Sequence, residues 1–91
     1  PMPPSNVQLS NSSINHKTRV ENMNTITWTA STSSNIRNYV IYRNNRFIVR
    51  VGPNIFTFTD KHRLEGETDI YEVATLDMDL VESVRAVAIS S

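Results

Sequence analysis

The chain has 91 residues, which is enough for one domain with one hydrophobic core and too few for a deep catalytic cleft. It is 38% hydrophobic and 20% charged, and its nine basic residues match nine acidic ones, a balance that argues against a dedicated nucleic-acid binder. There is no cysteine, which excludes disulfide staples and zinc-thiolate centres, and no apolar run approaches the length of a membrane-spanning helix.

Pro1-Met2-Pro3-Pro4 opens the chain without a signal-peptide pattern, so residues 1–4 read as the remnant of a linker and the rest as one domain cut from a longer protein. From there, apolar residues recur with period two in short runs. Val7-Gln8-Leu9 is the first, and Ile26-Thr27-Trp28 is the second. Tyr39-Val40-Ile41-Tyr42 and Phe47-Ile48-Val49-Arg50-Val51 follow closely, and Asn44-Asn45 between them suits a tight hairpin because Asn tolerates positive φ. Phe56-Thr57-Phe58, Ile70-Tyr71-Glu72-Val73 and residues 84–89 complete seven candidate strands. The intervening breakers are residues 11–15, 31–35, 44–45, 52–54, 61–67 and 77–79. No stretch of helical length shows a 3.6-residue period, so the expected fold is an all-β antiparallel sandwich of seven strands.

The order and spacing of several residues resemble fibronectin type III domains, bacterial members in particular. Trp28-Thr29-Ala30 resembles the core tryptophan of the family's second strand. Residues 36–44 resemble the third strand, and residues 45–51 the short hairpin and fourth strand. Phe58-Thr59-Asp60 with Leu64 resembles the fifth strand and its exit, and Tyr71-x-Val73-x-Thr75-x-Asp77 with Ser83 the sixth strand and its turn. The likeness runs from about Ser5 to Ile89 and implies two immunoglobulin-like sheets packed face to face. Alternation then places Leu9, Ile26, Trp28, Tyr39, Ile41, Phe58, Tyr71, Val73, Val87 and Ile89 inside. The chain departs from the family at two positions: the corner tyrosine falls on Asp69, which weakens the usual hydroxyl clamp, and a turn glycine falls on Leu80, which implies a different turn and an exposed leucine.

Little in the chain points to catalysis. His16 and His62 lie among polar neighbours, and two histidines without cysteine need carboxylates to hold zinc. No Gly-x-Ser-x-Gly turn is present. Glu65 and Glu67 have the look of an acid–base pair, but they sit in a corner loop with nothing apolar to raise a pKa. Asp77, Asp79 and Glu82 supply three acidic side chains without the spacing of a calcium loop. Asn11-Ser12-Ser13 fits the glycosylation sequon. The chain is therefore read as a non-enzyme with no cofactor and no metal site.

Two surface features remain. Val40 and Tyr42 should point outward, so Tyr42 and Phe47 are candidates for a flat platform for a sugar ring or a protein, with Arg37, Arg46 and Arg50 around them. The bland alternative is that long arginine side chains cover both rings. Charge is also segregated: eight of the nine basic residues precede Leu64, and seven of the nine acidic residues follow Arg63. Mapped on a sandwich, this sets a mainly basic end (His16, Lys17, Arg19, Arg46, Lys61) against an end with Asp77, Asp79 and Glu82, a polarity suited to orienting tandem modules.

The resemblance implies a spacer or scaffold module of a larger secreted or surface protein, extracellular or at the cell surface, in a setting where such bacterial modules accompany polysaccharide-active enzymes; the compact fold, neutral charge and lack of chemistry are consistent with it. The alternatives are a carbohydrate- or protein-binding adhesion module using Arg37, Tyr42, Arg46, Phe47 and Arg50, and a structural module of a phage or virion. Expected partners are neighbouring domains of the same chain, and a polysaccharide or surface protein. No nucleic acid and no membrane insertion are expected, and the domain should be a monomer.

Overall fold

The computed structural model describes residues 1–64 and 66–90; Glu65, half of the acid pair considered above, lies outside them. Eight strands follow in order: β1 (Ser5–Asn15), β2 (Val20–Thr29), β3 (Ile36–Arg43), β4 (Arg46–Val51), β5 (Thr57–Arg63), β6 (Tyr71–Asp77), β7 (Ala86–Val87) and β8 (Ile89–Ser90). One sheet has the order β5-β2-β1-β8 and the other β4-β3-β6-β7. The fold is thus an all-β sandwich of two four-stranded sheets.

The strand count differs from seven because the last run divides. β7 pairs antiparallel with β6, then the chain crosses at Ala88 and β8 pairs parallel with β1. The sandwich is therefore not wholly antiparallel. The crossing also reverses the expected parity: Ala86 and Ala88 pack on the core, while Val87 and Ile89 are 54% and 72% exposed. Ala88 donates its backbone N–H to the Tyr71 carbonyl at 2.8 Å, so the crossing backbone lies close on a core residue and a small side chain suits that approach.

Two segments expected to break structure are strands. Residues 11–15 continue β1, which pairs with β2 as far as Asn15↔Val20, and His16 closes the turn by donating to the Arg19 carbonyl at 2.7 Å. Residues 10–20 of this hairpin are all exposed, a polar ribbon carried beyond the core. Lys61, His62 and Arg63 likewise belong to β5, where His62 (φ 61°) sits beside the register shift opposite Asn22 and Asn24. The Asn44-Asn45 hairpin forms as expected, with φ of 52° and 66°, the pair of positive values that a two-residue turn needs to match strand twist.

The core lies between the sheets. Val7, Ile26, Trp28, Tyr39, Ile41, Tyr71 and Val73 are buried, with Leu9 and Phe58 packed partly against them. Alternation accounts for this set, since Ile26 and Trp28, Tyr39 and Ile41, and Tyr71 and Val73 are each two apart on their strands. Trp28 and Tyr39 meet with ring centroids 5.7 Å apart, and the Tyr39 hydroxyl accepts a bond from the Ser31 backbone at 2.9 Å. The four residues expected as a linker are seated on the sandwich: Pro4 is buried, and the Met2 backbone bonds to both Ser31 and Ser33.

At the β5–β6 corner a polar cluster replaces the weakened clamp. Tyr71 supplies the hydroxyl, donating to Asp60 Oδ2 at 2.5 Å and accepting from Asn24 Nδ2 at 3.1 Å. Arg43 Nη1 donates to the same Asp60 oxygen at 2.7 Å. Asp69 receives two bonds from Arg63, at 2.9 and 3.1 Å, and one from Asn44 at 3.1 Å. Asp69 thus ties the corner to the β3–β4 turn. The hydrogen bonds from Arg63 hold its carboxyl below the usual carboxylate range, against the opposing pull of burial. Burial first, and then the bond to Asp60, push the Tyr71 phenol well above its ordinary value.

The turn after β6 is left-handed at Leu80. Leu80 has φ 62° and is 65% exposed, as expected from sequence. A left-handed residue with a Cβ costs about 1–2 kcal/mol. Asp77 offsets this by accepting from the backbone N–H groups of Asp79 and Val81, both at 2.9 Å.

Three outcomes are expected. Trp28→Ala should lower stability by about 3–5 kcal/mol in urea titrations, the cost of emptying an aromatic core site; a variant as stable as wild type would refute the core assignment. For pH, the depressed Asp69 carboxyl contributes stability that is present above the unfolded value of about 3.9 and lost as pH falls through its lower folded value. Asp69→Asn should cost about 1.5–3 kcal/mol at pH 7 and flatten the acid limb of stability against pH. The raised Tyr71 phenol has the opposite sign: its contribution is intact below about pH 10 and falls above it, so alkaline destabilisation should begin there.

Candidate functional site

The outer face of the β4-β3-β6-β7 sheet is unusually apolar. Alternation turns Val40 and Tyr42 of β3 and Ala74 and Leu76 of β6 outward, and registry sets Val40 beside Ala74. These four side chains are nonetheless buried and form a second cluster of their own. The connection between β6 and β7 covers them. Ser83 anchors it through two bonds with the Thr75 backbone, at 2.8 and 2.9 Å, and Glu82 forms a bridge with Leu76.

Arg85 completes the cover. Its guanidinium carbon sits 3.5 Å from the centre of the Tyr42 ring. Nη1 donates to Asn45 Oδ1 at 2.6 Å and lies 3.5 Å from Glu72 Oε1, which fixes the planar group over the ring. The Tyr42 hydroxyl donates to Glu82 Oε1 at 2.5 Å. Burial and then this bond raise the Tyr42 phenol above its ordinary value.

Of the five residues read as a binding patch, three come together. Tyr42, Phe47 and Arg50 line a shallow groove of about 220 Å³ with Val40, Leu76 and Glu82. Arg46, which opens β4, and Arg37 are exposed but do not line it. The flat platform does not form. The Tyr42 and Phe47 rings stand at 79° with centroids 6.5 Å apart, an edge-to-face contact, and the face of Tyr42 is occupied by Arg85. Tyr42 is 9% exposed, whereas Phe47 is 57% exposed. Of the two rings, Phe47 is the one open to a ligand.

Sequence reading missed Leu76 and Arg85, and placed Glu82 in an acidic loop rather than against Tyr42. The signal for Leu76 was present, since it follows Ala74 on the solvent parity of β6. Arg85 and Glu82 carried none, because they reach Tyr42 from an irregular segment whose path no periodicity fixes. The acidic residues of that segment do not converge: Asp77 caps its own turn and Glu82 is bonded to Tyr42. Asn11 of the sequon is engaged, its Nδ2 donating to Asn24 Oδ1 at 2.8 Å. Glu67 lies 3.4 Å from Arg63 Nη2, and His62 Nδ1 3.2 Å from Glu21 Oε2.

No family model matches the chain, and no curated protein matches it. Among solved structures it is similar to the spore cortex lytic enzyme SleM of Clostridium perfringens, with a TM-score of 0.63 and 14% identity over 96% of this chain. That match spans 28% of the enzyme's chain, so this chain is similar to a part of it, and at this identity the likeness is one of fold.

Proposed function

We propose that this domain is a non-catalytic, fibronectin type III-like spacer of a larger secreted or surface protein, accessory to a polysaccharide-active enzyme. The observation that carries the reading is the placement of its ends. Residues 1–4 lie against Ser31 and Ser33 at one end of the sandwich, and β8 runs parallel to β1 towards the other, with Ser90 beside Leu9. A chain that enters at one end and leaves towards the other separates its neighbours along its length. The similarity to part of a cortex lytic enzyme supports the accessory setting, and the covered Tyr42 supports a face built for stability.

A second reading, a carbohydrate- or protein-binding module, is favoured by one observation: Phe47 stands exposed over the groove beside Arg50. The two readings separate in one experiment. The purified domain is incubated with a panel of insoluble polysaccharides at low and high salt. The spacer reading expects no retention. Retention that survives high salt and is lost in Phe47→Ala would replace it with the binding reading. Phe47 is the clean probe, because Tyr42→Ala would empty a buried site and unsettle the fold itself.

A further inference from the structure

β2 turns one row of side chains inward, and that row changes chemistry partway along. Trp28 and Ile26 belong to the apolar core, and Asn24 and Asn22 continue the same buried parity beyond it. Registry sets Asn11 of β1 opposite Asn24, so three amides share this face of the sheet. The β5–β6 corner lies across from them. A pocket of about 310 Å³ separates the two, lined by the three amides, Thr68 and Asp69, with Leu9 and Leu64 supplying apolar carbon. That volume suits a ligand of about one small ring.

The domain itself uses the bonding capacity of these groups unevenly. Asp69 is fully engaged: Oδ1 accepts from Arg63 and Asn44, and Oδ2 from Arg63 and Asn24. Asn24 is engaged as well, with Asn11, Asp69 and Tyr71. Asn22 is not. It is 8% exposed and lines the pocket, yet its amide makes no side-chain hydrogen bond to any described residue. Burying an amide without a partner is unfavourable, and an apolar side chain at this inward position would avoid the cost. Asn22 therefore calls for a hydrogen-bonding occupant in the pocket.

We propose that this pocket binds one unit of a neutral saccharide, with Asn22 as its main polar contact. An asparagine amide carries a donor and an acceptor side by side, which match a pair of vicinal hydroxyls. Leu9 and Leu64 offer carbon to the C–H face of a sugar ring. Charge excludes the other small polar ligands. No cation lines the pocket among the described residues, so an anion finds no partner. A cation finds no free carboxylate, because Asp69 is held by Arg63 and Glu67 lies 3.4 Å from the same guanidinium. The site shares no residue with the groove beside Phe47. It goes beyond the spacer reading and does not depend on it: a single ring binds weakly, below what retention on an insoluble polymer detects.

The test follows ¹H–¹⁵N spectra of the 91-residue domain as glucose, galactose and N-acetylglucosamine, each with vicinal hydroxyls, are added in turn. Saturable shifts are expected at the Asn22 side-chain amide and the Gly66 and Thr68 backbone, with Phe47 unmoved. Asn22→Ala should weaken binding about tenfold. It should also leave Tm unchanged or raise it, because the lost amide has no partner inside the domain. Thr68→Val, a change confined to the exposed corner, should weaken binding as well. Absence of saturable shifts with all three sugars would overturn the proposal, as would shifts confined to Phe47 and Arg50. A stronger response to glucose 6-phosphate or glucosamine than to glucose would assign the pocket to a charged ligand and overturn it. A Tm lowered by several degrees in Asn22→Ala would assign the amide to the fold and overturn it too.

Discussion

A carboxylate buried at the edge of the core organises this domain. Asp60 belongs to β5 in one sheet, and its Oδ2 is held by Tyr71 and Arg43 from β6 and β3 of the other. A buried charge is tolerated only when its partners are in place, so this one oxygen constrains the spacing of the two sheets. The constraint spreads through shared groups. Tyr71 passes it to Asn24 of β2, and Arg63, 3.8 Å from Asp60, passes it to Asp69 and on to the Asn44 turn. Beyond this level the apolar core ends, and β1 and β2 continue as an exposed ribbon.

The sequence disclosed the parts of the fold that bury one face. Trp28, Tyr39, Ile41 and Val73 alternate with polar or outward residues, and period two is what a half-buried strand imposes. The hairpin at Asn44 and Asn45 was legible because few residue types accept positive φ there. The ribbon of residues 10–20 was not, because a two-stranded arm with solvent on both faces has no reason to alternate, and its Asn and Ser residues read as turn. The parity of the final strand was hidden for a different reason. Bulky Val87 and Ile89 look like core residues, but the chain changes sheets between them, and the alanines take the inner positions at the crossing.

The outer face shows how a correctly placed residue can carry the wrong role. Tyr42 points outward, as period two requires, yet a segment without periodicity brings Arg85 and Glu82 over it and makes it part of a second, smaller core. Phe47, 57% exposed, remains open to solvent beside it.

The clamp itself is open to a direct test by a double-mutant cycle on Asp60→Asn and Tyr71→Phe, with stabilities from urea unfolding of the single and double variants. If Asp60 joins the sheets through Tyr71, the two losses will be strongly non-additive, with a coupling of about 1–3 kcal/mol. Losses that add to within about 0.3 kcal/mol would show that the two groups act independently and would contradict the account.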